Sequence, residues 1–237
     1  MTARVDHLVI AARTLDEGVQ WCEATLGVVP GPGGDHASMG THNRLLSIAS
    51  ASFPRAYLEI IAVDPAALPA RAAPLKRWFD LDDEILQASL AHHGPHLIHF
   101  VASVPDLQVA VSTLAGDPLR IDRGRIVEAQ REIPAAQGGG RLAWRIAVRD
   151  DGQRLFYGAL PTLIQWGAQH PADTLPDAGL ALLALEASHP RVETLRTAIE
   201  AIALDGMALH QGPPDLVATL QTPRGIVRLG SRITSYS

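Results

Sequence analysis

Cysteine is nearly missing from this chain: Cys22 is the single one in 237 residues. No intrachain disulfide framework can hold the fold, which must rest on an apolar core. No run approaches the roughly 18 consecutive apolar residues that a membrane-crossing helix needs. Aromatic residues make up only 5% of the chain, and the net charge of −5 comes from acids and bases that are scattered. A clustered basic patch, the footprint of nucleic-acid binding, is therefore lacking. The N-terminal residues show no basic segment followed by an apolar run, so no secretory signal is expected and the cytoplasm is the default compartment. What is plentiful is apolar side chain, at 47%, so a sizeable core can form, and the length is enough for one large domain or two small ones.

The apolar residues fall into a recurring order. Val5 to Ala11 reads as a strand. Thr14, with Glu17 three residues on, has the spacing of a helix cap, and Leu15, Val19, Cys22 and Leu26 share a helical face closed by Gly27. Pro30 to Gly34 reads as a loop, and Leu45 to Ala49 and Ala56 to Val63 as strands ended by Asp64-Pro65. A connector with a helix near Asp82 to Ala91 follows. A shift of 89 residues then repeats the opening without a gap: His7 falls on His96, Thr14 on Ser103, Gly27 on Gly116. Such self-similarity marks an internal repeat. Strands are expected near Arg125 to Glu132, Leu142 to Val148 and Leu155 to Trp166, with Asp150-Asp151-Gly152 as a hairpin turn. A third, shorter unit follows Pro176, with a strand at Leu180 to Ala187, a helix carrying Val192, Leu195, Ile199 and Ile202, and two strands up to Leu229.

The expected fold is thus α+β: repeated βαβββ modules forming a curved, barrel-like mixed sheet with helices outside, plus a truncated third βαββ module. The units span 1–66 and 95–172, joined by a helical connector at 67–94, with the third at 178–233.

Strand alternation places His7 and Val9 on the face away from the helix, and likewise Tyr57, Glu59 and Ile61. A carboxylate within an apolar strand is costly unless paired or bound to a cation, which makes Glu59 the most informative residue. Arg44 or Arg145 would serve as a plain ion-pair partner. The repeat supplies His96 as counterpart of His7, and a shift of 106 puts Gln165 where Glu59 stands. His7, Glu59, His96 and Gln165 would then converge as two imidazoles, a carboxylate and an amide oxygen, a donor set for a divalent ion such as Fe, Mn, Zn, Ni or Co. His99 is expected on the opposite strand face with a structural role. His36 and His42 sit in a glycine-rich loop and at a strand start, where substrate contact and plain surface are both open readings. Asn43 follows, and Arg44 has the fork geometry to hold a substrate carboxylate. Cys22 is expected to pack in the core. Gly138-Gly139-Gly140 precedes a strand, which argues against a phosphate loop. Trp144 and Trp166 fit either a pocket wall or the core.

The runs Gly40-Thr41-His42-Asn43-Arg44-Leu45-Leu46, Tyr57-Leu58-Glu59-Ile60-Ile61 with Asp64-Pro65, and Leu163-Ile164-Gln165-Trp166-Gly167 resemble the glyoxalase-like domain family of the vicinal-oxygen-chelate superfamily. The resemblance covers nearly the whole chain, and Gln165 departs from the acid expected in the last phrase. It implies a site between paired modules, with His7, Glu59, His96 and Gln165 at metal-ligand positions, Glu59 as catalytic group, and His42, Asn43, Arg44, Tyr57 and Trp144 around a substrate. The implied chemistry is a metal-dependent lyase, isomerase or ring-cleaving dioxygenase acting on a small carbonyl, enediol or catechol-type compound. The alternative is a metal-free protein of the same fold that binds and sequesters a small molecule. A homodimer is a further expectation. Ala181 and Arg228 stand where ligands would be in the third unit, which therefore carries none.

Overall fold

The structure is a computed structural model that describes residues 2–67, 74–133 and 139–232. It is α+β. In chain order the elements are β1 (Arg4–Ala11), α1 (Leu15–Leu26), β2 (Gly31–His36), β3 (Thr41–Ser47), β4 (Tyr57–Val63), α2 (Glu84–His93), β5 (His96–Ser103), α3 (Leu107–Ala115), β6 (Arg125–Glu132), β7 (Arg141–Val148) and β8 (Thr162–Trp166). The remainder is β9 (Ala181–His189), α4 (Val192–Ala201), β10 (Met207–Gln211), β11 (Asp215–Thr222) and β12 (Gly225–Gly230). Part of the 67–94 connector, Gly138 of the glycine run and Ile233 at the end of the third unit lie outside the described residues.

Eight strands form one sheet in the order β2-β3-β4-β1-β5-β8-β7-β6. The order is a palindrome of two modules. β1 and β5 meet antiparallel at the centre, and each is flanked by a parallel partner from its own module, β4 or β8. The repeat is thus present, but its register on the strands is 92 residues, not 89. Ala12 donates its N–H to the carbonyl of Ile61, and Val104 to that of Ile164. The β1–β5 ladder also skips one residue on each side, Asp6 on β1 and Ile98 on β5. These two bulges are mates at the same shift. The counterpart of His7 is therefore His99, and β5–β8 pairing then makes Thr162, not Gln165, the counterpart of Glu59. The end-glycines Gly27 and Gly116 coincide at 89 because α3, capped by Asp106 rather than Ser103, is three residues shorter than α1.

Alternation explains the layers. Leu8, Ile10, Leu58, Ile60 and Phe100 are fully buried against α1, α3 and the third unit, each side chain worth about 1.5–3 kcal/mol on leaving water. Val9, Ile61, Val101, Ile146 and Ile164 build a second apolar cluster on the concave face. Trp78 and Phe79 of the connector enter that cluster, stacked on each other at 5.2 Å. The third unit is a separate sheet, β10-β9-β11-β12, with β10 a strand that the sequence pattern omits. It joins the convex-side core through Leu182, Leu185, Leu216 and Ala218. Pro30 to Gly34, read above as a loop, overlaps edge strand β2, which pairs with β3 across an irregularity between Pro32 and Asp35. Its glycines hid it from propensity. The expected strand start at Leu155 is instead a short 3-10 turn before β8. No helix among the described residues is long and apolar enough to cross a membrane.

Candidate functional site

The concave face of the first module gathers Glu59, His7, His36 and Asn43. Glu59 is 5% exposed and His7 likewise. Asn43 Nδ2 donates to Glu59 Oε1 at 2.6 Å, and its Oδ1 accepts from the Gly34 N–H at 2.9 Å, which fixes the amide's orientation. His36 Nδ1 lies 3.0 Å from Thr41 Oγ1, and its Nε2 lies 3.3 Å from Asn43 Nδ2 and 3.9 Å from Glu59 Oε1. Burial pushes the His36 imidazole down to about 4, so near pH 7 it is neutral.

His7 Nε2 stands 3.6 Å from Glu59 Oε2. Its Nδ1 is 2.7 Å from Asp6 Oδ1. Asp6 Oδ2 also accepts from Trp166 Nε1 at 3.0 Å and pairs with His170 Nε2 at 3.1 Å. His170 Nδ1 accepts the Ala172 N–H, so Nε2 carries the proton and donates to Asp6. Burial alone would raise the Asp6 carboxyl, but the hydrogen bonds from His170 and His7 hold it well below the carboxylate range. Asp6 and His170 were not singled out from the sequence; the signal that exposes Asp6 is its bulge, which no periodicity carries. Tyr57 stacks on His7 at 4.5 Å, and burial, followed by the Asp6 and Glu59 charges, raises its phenol well above 10.

His7, His36, Asn43, Tyr57 and Glu59 line one inner cavity of about 30 Å³ with Trp78, Phe79, Arg131, Trp144 and Trp166. An outer cleft of about 740 Å³ shares His36, Trp144 and Trp166 with it. Burial lowers Arg131, partly offset by Tyr57 and Glu59; its guanidinium lies over Gly34, where a Cβ would stand 1.8 Å from Nη1.

The structure does not bring His96 or Gln165 to this inner cavity. His96 lines a separate cleft beside Asp80 and Arg154, with Nδ1 2.9 Å from the Gly94 carbonyl. Gln165 Oε1 accepts from the Leu107 N–H at 3.0 Å and from Arg145 at 3.3 Å, and the residue borders the outer cleft only. Arg44 pairs in register with Ile60 and His42 with Ala62, so alternation puts both on the face opposite Glu59 and Asn43. The Ile98 bulge brings His99 to the concave side, against Phe79 at 5.3 Å, which corrects the expectation that it lies on the opposite strand face.

The two modules differ in fitness for a metal. His99 Nδ1 is 2.9 Å from the Gly158 carbonyl, and its Nε2 accepts from both Thr162 Oγ1 at 3.0 Å and the Thr162 N–H at 3.1 Å. Both nitrogens are engaged, so the second module does not fit as the other half of an ion site with His7 and Glu59. Among the described residues one group does bring ligand atoms within 4.8 Å of one another, Asp35, His42 and Asp64. It lies across β2, β3 and the end of β4 and includes neither His7 nor Glu59.

No curated protein matches the sequence. A crystal structure of a hypothetical protein from Staphylococcus aureus aligns over 95% of this chain and 85% of its own at 14% identity and a TM-score of 0.54, a likeness of fold. A variant of Streptomyces coelicolor methylmalonyl-CoA epimerase in complex with 2-nitronate-propionyl-CoA aligns over 72% of this chain and 99% of its own at 17% identity and a TM-score of 0.42. The methylmalonyl-CoA epimerase from Mycobacterium tuberculosis aligns over 68% and 85% at 16% and a TM-score of 0.35. The sequence itself matches the glyoxalase-like domain over residues 5–203, and the chain belongs to that family.

Proposed function

We infer that this glyoxalase-like protein is a small-molecule enzyme in which Glu59 moves a proton at a carbon beside a carbonyl or enediol oxygen, without routing the step through an ion between the modules. The observation that carries this reading is the buried Glu59 carboxylate at the end of a cavity, held on one oxygen by Asn43 and facing His7 on the other. Glu59 would take the α-proton while the C–H electron pair passes to the substrate oxygen. Arg131, on the same cavity wall, would offset the negative charge that develops there. Asp6 holds His7 Nδ1, so Nε2 is left facing Glu59 as a relay for the proton.

The inner cavity, about 30 Å³, admits only the reacting atoms; the body of the substrate belongs in the outer cleft, whose roughly 740 Å³ falls within the range of small-molecule sites. Trp144 and Trp166, common to both, would flank it. Any divalent ion is better suited to Asp35, His42 and Asp64, an oxygen and nitrogen donor set for a first-row metal, where its role would be structural.

The test is deuterium uptake from D2O into the α-carbon of hydroxyacetone, followed by proton NMR. Wild type should catalyse exchange and Glu59→Gln should lose at least about 100-fold, the scale of one acid–base group. Equal exchange by both proteins would refute the role of Glu59. Binding of the probe without exchange by wild type would favour the sequestering alternative.

A further inference from the structure

Arg123 is a buried charge that does not line the Glu59 cavity. It precedes β6, is 4% exposed, and donates from Nη2 to the Pro161 carbonyl. Its Nε and Nη1 are buried with no hydrogen-bond partner among the described residues. Burial, then the neighbouring Arg149, pushes its guanidinium down to about 10, which still leaves it charged near pH 7. A buried cation without an anion is among the most expensive groups a fold can carry.

Arg123 lines a small cavity of about 10 Å³ together with Trp78, Phe79, Arg149, Gln153 and Thr162. Trp78 is 5% exposed, and its Nε1 is also buried without a partner. Indole N–H can only donate. Two side chains in one cavity wall therefore leave three donor nitrogens unused, and no carboxylate lines the cavity among the described residues. The carboxylate next in sequence, Asp122, is turned to solvent and pairs with Arg149 at 3.5 Å. Arg149 itself is held by Asp151 at 2.6 Å. The volume suits one particle near the size of a water molecule.

We propose that the Arg123–Trp78 cavity is a small-anion site, taking a halide or the end of a carboxylate. The anion would accept from one of the two unpaired Arg123 nitrogens, Nε or Nη1, and from Trp78 Nε1, tying the connector to the second module. Trp78 also lines the Glu59 cavity, so the same anion would hold that wall in place. The inference does not depend on proton transfer at Glu59.

The experiment measures thermal stability and Trp fluorescence of the full chain in sodium chloride, sodium bromide and sodium formate, each against sodium gluconate at equal ionic strength. Gluconate is a carboxylate too bulky for the cavity. A saturable rise in Tm with chloride and bromide, together with bromide quenching, identifies a free inorganic anion; a rise with formate alone identifies the carboxylate of a ligand. Arg123→Met should abolish the response, and Trp78→Phe, which removes one donor and keeps a ring, should weaken it about tenfold or more, tenfold being the lower end for one hydrogen bond to a charged group. If none of the anions acts differently from gluconate, water fills the cavity and the proposal is overturned. An unchanged response in either variant overturns it equally.

Discussion

Replacing Asp6 by asparagine keeps the shape of the side chain and removes its charge, and the geometry dictates how the amide must settle. Oδ2 of Asp6 receives two donors that have no alternative role, the indole N–H of Trp166 and Nε2–H of His170. The amide oxygen must stay there. The new NH2 then faces His7 Nδ1, 2.7 Å away in the wild type, and His7 has to switch tautomer so that Nδ1 accepts. Three hydrogen bonds to a charged group, about 1.5–3 kcal/mol each, become neutral ones of about 0.5–1.5. The loss is about 3 kcal/mol, which in a chain of this size lowers Tm by roughly 6–12 °C. Circular-dichroism melting measures that part. The switch also puts a proton on Nε2, where it points at Glu59 and can no longer receive one. Deuterium exchange should therefore fall by about 100-fold or more although Glu59 is untouched. Long-range ¹H–¹⁵N spectra of the histidine rings report the tautomer directly. A Tm shift below about 2 °C, or a His7 ring that keeps its proton on Nδ1, would refute the reasoning.

Acid should act on His36 before it reaches Asp6. The folded imidazole sits near 4, below the ordinary 6.5, so the unfolded chain binds the extra proton first. Stability should fall as pH drops from about 6.5 towards 4, by up to about 3 kcal/mol from His36, with His96, His99 and His189, also lowered by burial, adding in the same direction; His36→Gln should flatten the urea-midpoint profile over that range. Asp6, depressed instead, adds stability above its unfolded value of 3.8 that is lost only on further acidification. Gly34→Ala would place a Cβ 1.8 Å from the end of Arg131, a flexible tip that can move, so Tm should change little while turnover falls about tenfold; a normal rate would remove Arg131 from the mechanism. Phe79→Ala should cost about 3 kcal/mol as a buried aromatic truncation and widen the inner cavity, read as a Tm drop together with exchange on bulkier ketones.

The modular plan was legible because helix faces and caps repeat, and the inward positions of His7, Tyr57 and Glu59 followed from alternation alone. The partners in the second module were not. An insertion of one residue in a strand flips parity, and the extra residue Ile98 is chemically unremarkable, so nothing marked His99 as facing inward. The shorter α3 let the glycines agree at a spacing that the strands do not share. Asn43 was found but not its purpose, since its role depends on β2, whose Gly33-Gly34 carries no strand signal. Trp78 and Phe79 lay in a segment read only as a connector, and their entry into the concave face is a tertiary event without a local pattern.

The paired bulges carry one more implication. A bulge makes sequence neighbours into partners on one face, and Asp6 with His7 is such a pair. If β1 slid by one residue to regularise the ladder, Asp6 would turn toward the helix layer among Leu8 and Ile10, where a carboxylate has no donor. The acid thus works as a ratchet against slippage at the seam between the two halves, so the same residue that tunes His7 also enforces the alignment of the duplicated sheet.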